Sequence, residues 1–153
     1  MDAIDKQKYI FGSIFLLSNR LQVIGDQYLG RDDTTTKQWF LQVMISQFGD
    51  NPPTLSEVAE LMGSSRQNVK QLALKLAEKG FLTIQKDEQD ARALRLKQTD
   101  KSQVFWERRK KQDDEYIEDL FKDFSAEEIN VMSKGFGKLF EKIGKIEKST
   151  AVK

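Results

Sequence analysis

Two short helical segments on either side of a glycine, followed by alternating apolar residues, constrain the fold more than any other feature. Residues 54–57 (TLSE) fit a capping box, in which a hydroxyl and a carboxylate satisfy free N–H groups at a helix start. Residues 64–67 (SSRQ) fit the same pattern, with Ser64 opening the second helix. Gly63 and Gly80 end the two segments. The spacing therefore predicts two capped helices joined by a tight turn.

Beyond Gly80 the apolar period changes from helical to alternating. Leu82 and Ile84 alternate with polar residues, and so do Leu94 and Leu96, which predicts two strands. The polar stretch between these strands is typical of a hairpin with a charged tip. A helix-turn-helix followed by such a hairpin is a winged helix-turn-helix. The predicted fold class is therefore mainly α with a small β-hairpin wing.

Long helical segments flank this motif. Apolar residues recur every three or four positions over residues 10–28 and 129–146, which makes a heptad-type stripe at each end. One small chain offers no evident place to bury both stripes, so we expect them to pack against a second copy. The predicted organisation is an N-terminal helix of the dimerisation region at 1–34, a winged helix-turn-helix DNA-binding domain at 35–98, and C-terminal dimerisation helices at 99–153.

The composition disfavours several classes of function. The chain has no cysteine and no histidine, so it lacks thiol chemistry and the commonest general base and metal ligand. We therefore expect no enzyme activity, no catalytic residue, no metal and no cofactor, although an enzyme that uses carboxylates alone stays an alternative. The sequence has no run of about 18 apolar residues that could span a membrane. The N-terminus has no secretory pattern, so a cytoplasmic location is expected.

The charges are strongly segregated along the chain. Residues 64–111 carry thirteen Lys and Arg against six Asp and Glu, a net charge of +7. The segments before and after this region each have a net charge of −3. A basic centre between acidic ends suggests a polyanionic partner, and the alternative is that these charges form only a solvated surface.

The second short helix carries the candidate base-reading residues. Its polar side chains lie on one face at helical spacing, opposite the apolar stripe that starts at Val69. Arginine can pair with guanine and glutamine with adenine in the major groove of double-stranded DNA, and a serine at the helix start can donate to a phosphate. The alternative is an ordinary helix surface. The candidates are Ser65, Arg66, Gln67, Asn68, Lys70 and Gln71.

The hairpin tip carries three further basic candidates, Lys86, Arg92 and Arg95. Acidic residues among them are unexpected beside DNA, because they repel phosphate. We expect Asp90 to bind the Arg92 side chain and to hold it extended toward the minor groove. The alternative is a solvated turn with incidental ion pairs.

Residues 36–102 resemble the MarR family (multiple-antibiotic-resistance regulators). The resemblance is carried by residues 54–59 (TLSEVA), 65–69 (SRQNV), 76–82 (LAEKGFL) and the wing element at 90–92 (DAR). The long flanking helices match the family's layout, so the similarity covers nearly the whole chain. It implies a homodimeric winged-helix protein that binds double-stranded DNA at a near-palindromic site and regulates transcription.

The resemblance also implies roles for single residues. The family's wing arginine, which enters the minor groove, corresponds to Arg92 with Asp90 as its support. The recognition-helix role falls on Ser65, Arg66, Gln67 and Lys70. This sequence departs from the family pattern at two positions. Ala91 stands where a basic residue is common, which is expected to weaken the grip of the wing, and Ser102 replaces the usual glycine.

Members of the family are often repressors that a small aromatic ligand releases from DNA. Candidate contacts for such a ligand lie on the first two helices, although aromatic residues at helical spacing are more often core. A regulator without a small-molecule effector stays as an alternative. So does a winged-helix protein-interaction module that does not bind DNA. The candidate effector-binding residues are Phe11, Phe15, Trp39, Phe40 and Val43.

Overall fold

The computed structural model describes residues 1–151, which form six α-helices and one two-stranded antiparallel sheet. The helices are α1 (Ala3–Leu29), α2 (Thr36–Ser46), α3 (Leu55–Met62), α4 (Arg66–Glu78), α5 (Asp100–Phe121) and α6 (Ala126–Ala151), and the strands are β1 (Leu82–Lys86) and β2 (Leu94–Gln98). The predicted fold class, mainly α with a small β-hairpin, is confirmed.

The chain forms two compact units, Met1–Trp106 and the part from Glu107 onward. The predicted C-terminal region at 99–153 therefore contributes to both units, and its last two residues lie outside the described residues. No helix within residues 1–151 combines the length and the apolar character that crossing a bilayer requires.

The starts of α3 and α4 follow from local hydrogen bonds. At α3 the capping box is complete, because Glu57 N–H donates to Thr54 Oγ1 at 3.1 Å and Thr54 N–H donates to Glu57 Oε1 at 3.0 Å. The prediction that Ser64 opens α4 is wrong by one residue. Ser65 is the cap, and its hydroxyl oxygen accepts from the N–H of Asn68 at 3.1 Å. Gly63 has a φ of 63°, the left-handed conformation that lets α3 end in a tight turn.

The core of the first unit lies where α2, α3, α4 and the hairpin meet. Each large apolar side chain that it buries contributes roughly 1.5–3 kcal/mol. Burial of one face of α4 also means that its opposite face points to solvent. The buried apolar residues of this core are Leu41, Ile45, Leu55, Val58, Ala59, Val69, Ala73, Leu76, Phe81, Leu82 and Leu96.

The hairpin is attached to the helices as well as to itself. In its register Ile84 lies opposite Leu96, and Lys86 lies opposite Leu94. Leu96 is fully buried, and its N–H donates to the carbonyl oxygen of Pro53 at 2.9 Å. The wing is therefore fixed at its base to the loop that leads into α3.

A glycine contact joins α1 to α2. Gly25 is buried, and a Cβ built on it would lie closer to the Thr36 hydroxyl than real Cβ atoms approach. Beside it, Thr36 N–H donates to Asp26 Oδ1 at 2.8 Å, and the Thr36 hydroxyl donates to the carbonyl oxygen of Gln22 at 3.4 Å. The end of α1 thus supplies partners for the start of α2.

A buried polar network joins α2 to β2 and to the start of α5. Gln42 Oε1 accepts from Ser102 Oγ at 2.6 Å and from Trp106 Nε1 at 2.9 Å. Gln98 Nε2 donates to the Gln42 carbonyl oxygen at 2.8 Å, and Gln42 Nε2 donates to the Gln38 carbonyl oxygen at 3.2 Å. Ser102, which departs from the family pattern, is 0% exposed and takes part in this network.

The second unit is a helical segment with charged pairs on α5 and an apolar stripe on α6. Arg109 pairs with Asp113 at 3.1 Å and Lys110 with Asp114 at 2.5 Å. Such pairs, four residues apart, stabilise a helix only weakly where they are exposed, because solvent screens the charges. The predicted stripe of α6 is exposed in this single chain. Its members are Ile129, Met132, Phe136, Leu139, Ile143 and Ile146.

Candidate nucleic-acid interface

The outward face of α4 is a continuous polar surface. The opposite face holds the helix to the core through Val69, Ala73 and Leu76, each 0% exposed. No side chain on the polar surface forms a hydrogen bond or an ion pair that stabilises the fold within residues 1–151, so all of these groups are available to a partner. The structure brings together on this surface the predicted residues Arg66, Gln67, Asn68, Lys70 and Gln71, all of them exposed.

Ser65 lies at the N-terminal end of the same surface and is exposed. Its hydroxyl oxygen is occupied as the acceptor of the capping hydrogen bond from Asn68. The hydroxyl hydrogen stays able to donate, and the first N–H groups of α4 point in the same direction. A helix start with free donors and a positive dipole end is suited to a phosphate oxygen.

The wing tip presents two unpaired basic side chains. Lys86 ends β1 and Arg92 lies in the loop between the strands, and both are exposed. Within the described part of the chain, neither charged group has a hydrogen-bond or ion-pair partner. Both charged groups are therefore available to an anionic partner.

The predicted contact between Asp90 and the Arg92 side chain is wrong. Asp90 Oδ1 instead accepts from the backbone N–H of Arg92 at 3.0 Å, and the Asp90 carbonyl oxygen accepts from the N–H of Ala93 at 3.0 Å. Short polar side chains commonly stabilise turns in this way. Asp90 thus shapes the backbone that carries Arg92 and leaves the guanidinium free.

Arg95, a predicted DNA contact at the hairpin tip, is not a free cation, because its side chain is engaged within the fold. Its Nε donates to Asp87 Oδ1 at 2.5 Å, and its Nη1 donates to the carbonyl oxygen of Pro52 at 2.6 Å. The Arg95 side chain is only 33% exposed. This hydrogen bond from Arg95 holds the pKa of the Asp87 carboxyl below its usual value, and backbone N–H groups at Asp90 and Gln89 act in the same direction.

Sequence reasoning missed Asp87 as a residue of this site. The available signal was local, because an aspartate at the start of a polar loop often accepts from N–H groups two and three residues later. Asp87 does so at Gln89 and Asp90. Its pairing with Arg95 requires the strands to be in register, which the local pattern alone does not specify.

The five candidate effector residues form two separate groups. Phe11 and Phe15 stack edge to face with ring centroids 5.2 Å apart on α1, and both are more than half exposed. Trp39 and Phe40 contact each other on α2 at 6.3 Å, and Val43 is half-buried one turn further on. Within the described chain, no ring contact joins the first group to the second. Phe11 with Phe15 and Trp39 with Phe40 are thus two separate aromatic contacts in the single chain, and an effector role for the five residues stays a prediction.

The chain is similar to solved structures of MarR regulators over most of its length. A MarR transcriptional regulator from Methanosarcina mazei Go1 is 19% identical, with a TM-score of 0.78, over 91% of this chain and 99% of that one. The S. aureus MepR–DNA complex is 21% identical, with a TM-score of 0.73, over 88% and 96%. Streptococcus pneumoniae FabT in complex with DNA is 24% identical, with a TM-score of 0.64, over 92% and 99%.

The likeness lies in the structure more than in the sequence. No family model matches the chain, and no curated protein matches it. The structural similarity nevertheless extends over about nine-tenths of the chain. The chain therefore has the winged-helix fold of the MarR transcriptional regulators.

Proposed function

We propose that this chain is a sequence-specific regulator of transcription that binds double-stranded DNA. The observation that carries the proposal is the outward face of α4, where five polar side chains are exposed and none is used to stabilise the fold. A major groove about 12 Å wide admits such a helix, with Arg66 and Gln67 at its leading end. Two structural neighbours, MepR and FabT, were solved in complex with DNA, which supports the proposal.

The proposed DNA-binding form is a homodimer. Each unit of the chain exposes an apolar helical stripe, which includes Leu17, Leu21 and Ile24 on α1 and the stripe already described on α6. A second copy would cover such stripes. A two-fold dimer carries two recognition helices about one DNA turn apart, so its target is a near-palindromic site.

We further propose that the protein is a cytoplasmic repressor. A dimer bound over a promoter excludes polymerase without any further activity. The competing class, a winged-helix module that binds only proteins, is disfavoured by the net charge of +7 in residues 64–111. A regulator controlled by its own abundance, without an effector, uses the same DNA-binding surface and differs only in its response to ligands.

Selection of bound fragments from the source genome tests the proposal directly, at near-physiological salt because phosphate contacts alone mimic specificity at low salt. We expect a few near-palindromic sites. On such a site Arg66→Ala should bind about 10-fold more weakly, since a bidentate contact to a base contributes roughly 1–3 kcal/mol. Arg92→Ala should also weaken binding, because the proposed contact of this arginine with the minor groove is lost. Fluorescence anisotropy with a labelled duplex measures both.

The matched control is Arg20→Ala, which removes the same charge from an exposed position on α1. It should bind like the unmodified protein at moderate salt. If Arg66→Ala, Arg92→Ala and Arg20→Ala all bind equally well, with sedimentation confirming an unchanged assembly, the assignment of the surface is wrong. If no fragment is enriched above background, the protein-interaction module becomes the better description.

The effector is tested by thermal shift with a panel of small phenols and aromatic carboxylates. A ligand at 100 times its Kd stabilises the folded state by about 2.7 kcal/mol, which raises the melting temperature measurably. The same ligand should lower DNA affinity. Phe15→Ala and Trp39→Ala then identify which aromatic pair contacts it. A panel that shifts neither melting temperature nor DNA affinity favours the effector-free regulator.

A further inference from the structure

Both carboxylate oxygens of Asp87 are engaged at the base of the wing tip. Oδ1 accepts from Arg95 Nε at 2.5 Å. Oδ2 accepts from the backbone N–H groups of Gln89 at 3.2 Å and Asp90 at 3.0 Å. One side chain thus connects strand β2 to the loop that leads toward Arg92, and it leaves none of its oxygens without a donor.

The same contacts extend in both directions along the chain. Arg95 Nη1 reaches the carbonyl oxygen of Pro52, 43 residues away, in the loop that leads into α3. On the other side, Asp90 Oδ1 accepts from the N–H of Arg92. A continuous series of hydrogen bonds therefore runs from the helix-turn-helix through Arg95, Asp87 and Asp90 to the backbone that carries the free wing arginine.

We infer that Asp87 and Arg95 are positioning residues, which hold the Arg92 loop in its DNA-binding conformation and do not themselves contact DNA. The inference rests on the proposed function. A loop that is ordered before binding loses less conformational entropy when it binds, so the affinity it supports is higher. The loop is ordered in this structure, because the carboxylates of Asp87 and Asp90 accept hydrogen bonds from its backbone. The guanidinium of Arg92 makes no internal bond within residues 1–151.

Charge repulsion alone predicts a different effect for the acidic residues of the wing tip. A carboxylate beside phosphates repels them, so removing any acid from the wing tip should strengthen binding. Asp87 should behave in the opposite way, since its removal releases the loop and frees Arg95. Glu88, its exposed neighbour, has no hydrogen bond or ion pair in the described chain and carries the same charge. The pair Asp87→Asn and Glu88→Gln therefore separates positioning from charge.

The experiment measures the affinity of each variant for a duplex that the unmodified protein selects from a randomised 30-base-pair pool. We expect Asp87→Asn to bind about five-fold more weakly, because the loop must then lose conformational entropy when it binds. Glu88→Gln should bind equally well or more tightly. Asp87→Ala serves as a second variant that retains no side-chain acceptor.

The salt dependence of DNA binding by Arg95→Ala distinguishes a phosphate contact from a positioning role. The slope of log affinity against log salt is negative, and loss of one phosphate contact reduces its magnitude by about 0.9. Arg95→Ala should weaken binding and leave the slope unchanged. In the free protein it should also raise the pKa of Asp87, which carbon-detected titration of that carboxyl measures, and Asp87→Asn should speed hydrogen exchange at Gln89 and Asp90.

The outcomes distinguish failure of the proposed function from failure of the positioning role. If the unmodified protein selects no duplex, the proposed function fails and the positioning role fails with it. If it binds DNA but Asp87→Asn and Glu88→Gln strengthen binding equally, only the positioning role is wrong. A smaller magnitude of the salt slope in Arg95→Ala likewise overturns the positioning role, because Arg95 would then be a phosphate contact. Circular dichroism of each variant verifies that the fold is intact.

Discussion

Replacing Gln42 with leucine is expected to lower the free energy of unfolding by about 3 kcal/mol, since each buried polar group left without a partner costs roughly 1–3 kcal/mol. Leucine fills a similar volume but offers no acceptor to Ser102 Oγ or Trp106 Nε1. Urea unfolding followed by circular dichroism measures the change. The protein concentration must be held fixed, because association also stabilises the fold.

The control for this prediction is Gln103→Leu, the same substitution at an exposed position of α5. It should change the free energy of unfolding by no more than about 0.5 kcal/mol. The double variant Gln42→Leu with Ser102→Ala should lose less than the sum of the two single variants, because removing both partners leaves fewer unpaired groups. Additive losses, or a Gln42→Leu protein as stable as the control, would show that the network contributes nothing.

Gly25→Ala is expected to lower the free energy of unfolding by about 2 kcal/mol, as overpacking of a close contact typically costs roughly 1–3 kcal/mol. The substitution would otherwise be favourable, because alanine stabilises a helix by about 1 kcal/mol relative to glycine. The added Cβ meets the Thr36 hydroxyl, and the backbone there is held by its own hydrogen bond to Asp26. Thermal or urea unfolding measures the loss.

Two variants make this prediction specific. Gly12→Ala lies on the same helix with open space around its Cβ, so it should raise stability by about 1 kcal/mol. Thr36→Ala removes the atom that clashes, so Gly25→Ala should become harmless in that background. If Gly25→Ala and Gly12→Ala stabilise alike, α1 and α2 are not packed as closely as the geometry requires.

Local sequence patterns predicted the elements of the fold well. The spacing of apolar residues identified the helices, and the change to an alternating period identified both strands of the wing. The one-residue error at Ser64 has a simple cause, since two adjacent serines can each act as a helix cap. Local propensity cannot choose between them, whereas the packing of Val69 against the core sets the phase of α4.

The features that sequence reasoning missed depend on contacts between distant residues. Arg95 was predicted to be a DNA contact at the hairpin tip, and its hydrogen bond to Pro52, 43 positions away, was not foreseen. Ser102 and Gln42 are 60 positions apart, and nothing near either residue indicates their hydrogen bond. The effector-binding role of the aromatic residues stays a prediction for a related reason, because helical spacing places residues on a face without specifying what that face opposes.

The outward face of α4 has a consequence for how such a protein can change. Arg66, Gln67, Lys70 and Gln71 contribute no side-chain bond to the fold within residues 1–151, whereas the buried side of the same helix carries its attachment to the core. Substitutions on the outward face should therefore have little effect on folding, and under the proposed function they would alter the target sequence. Under the proposed function, the residues that read DNA and the residues that stabilise the fold occupy different positions of one helix. New specificities could then be reached one residue at a time through folded intermediates.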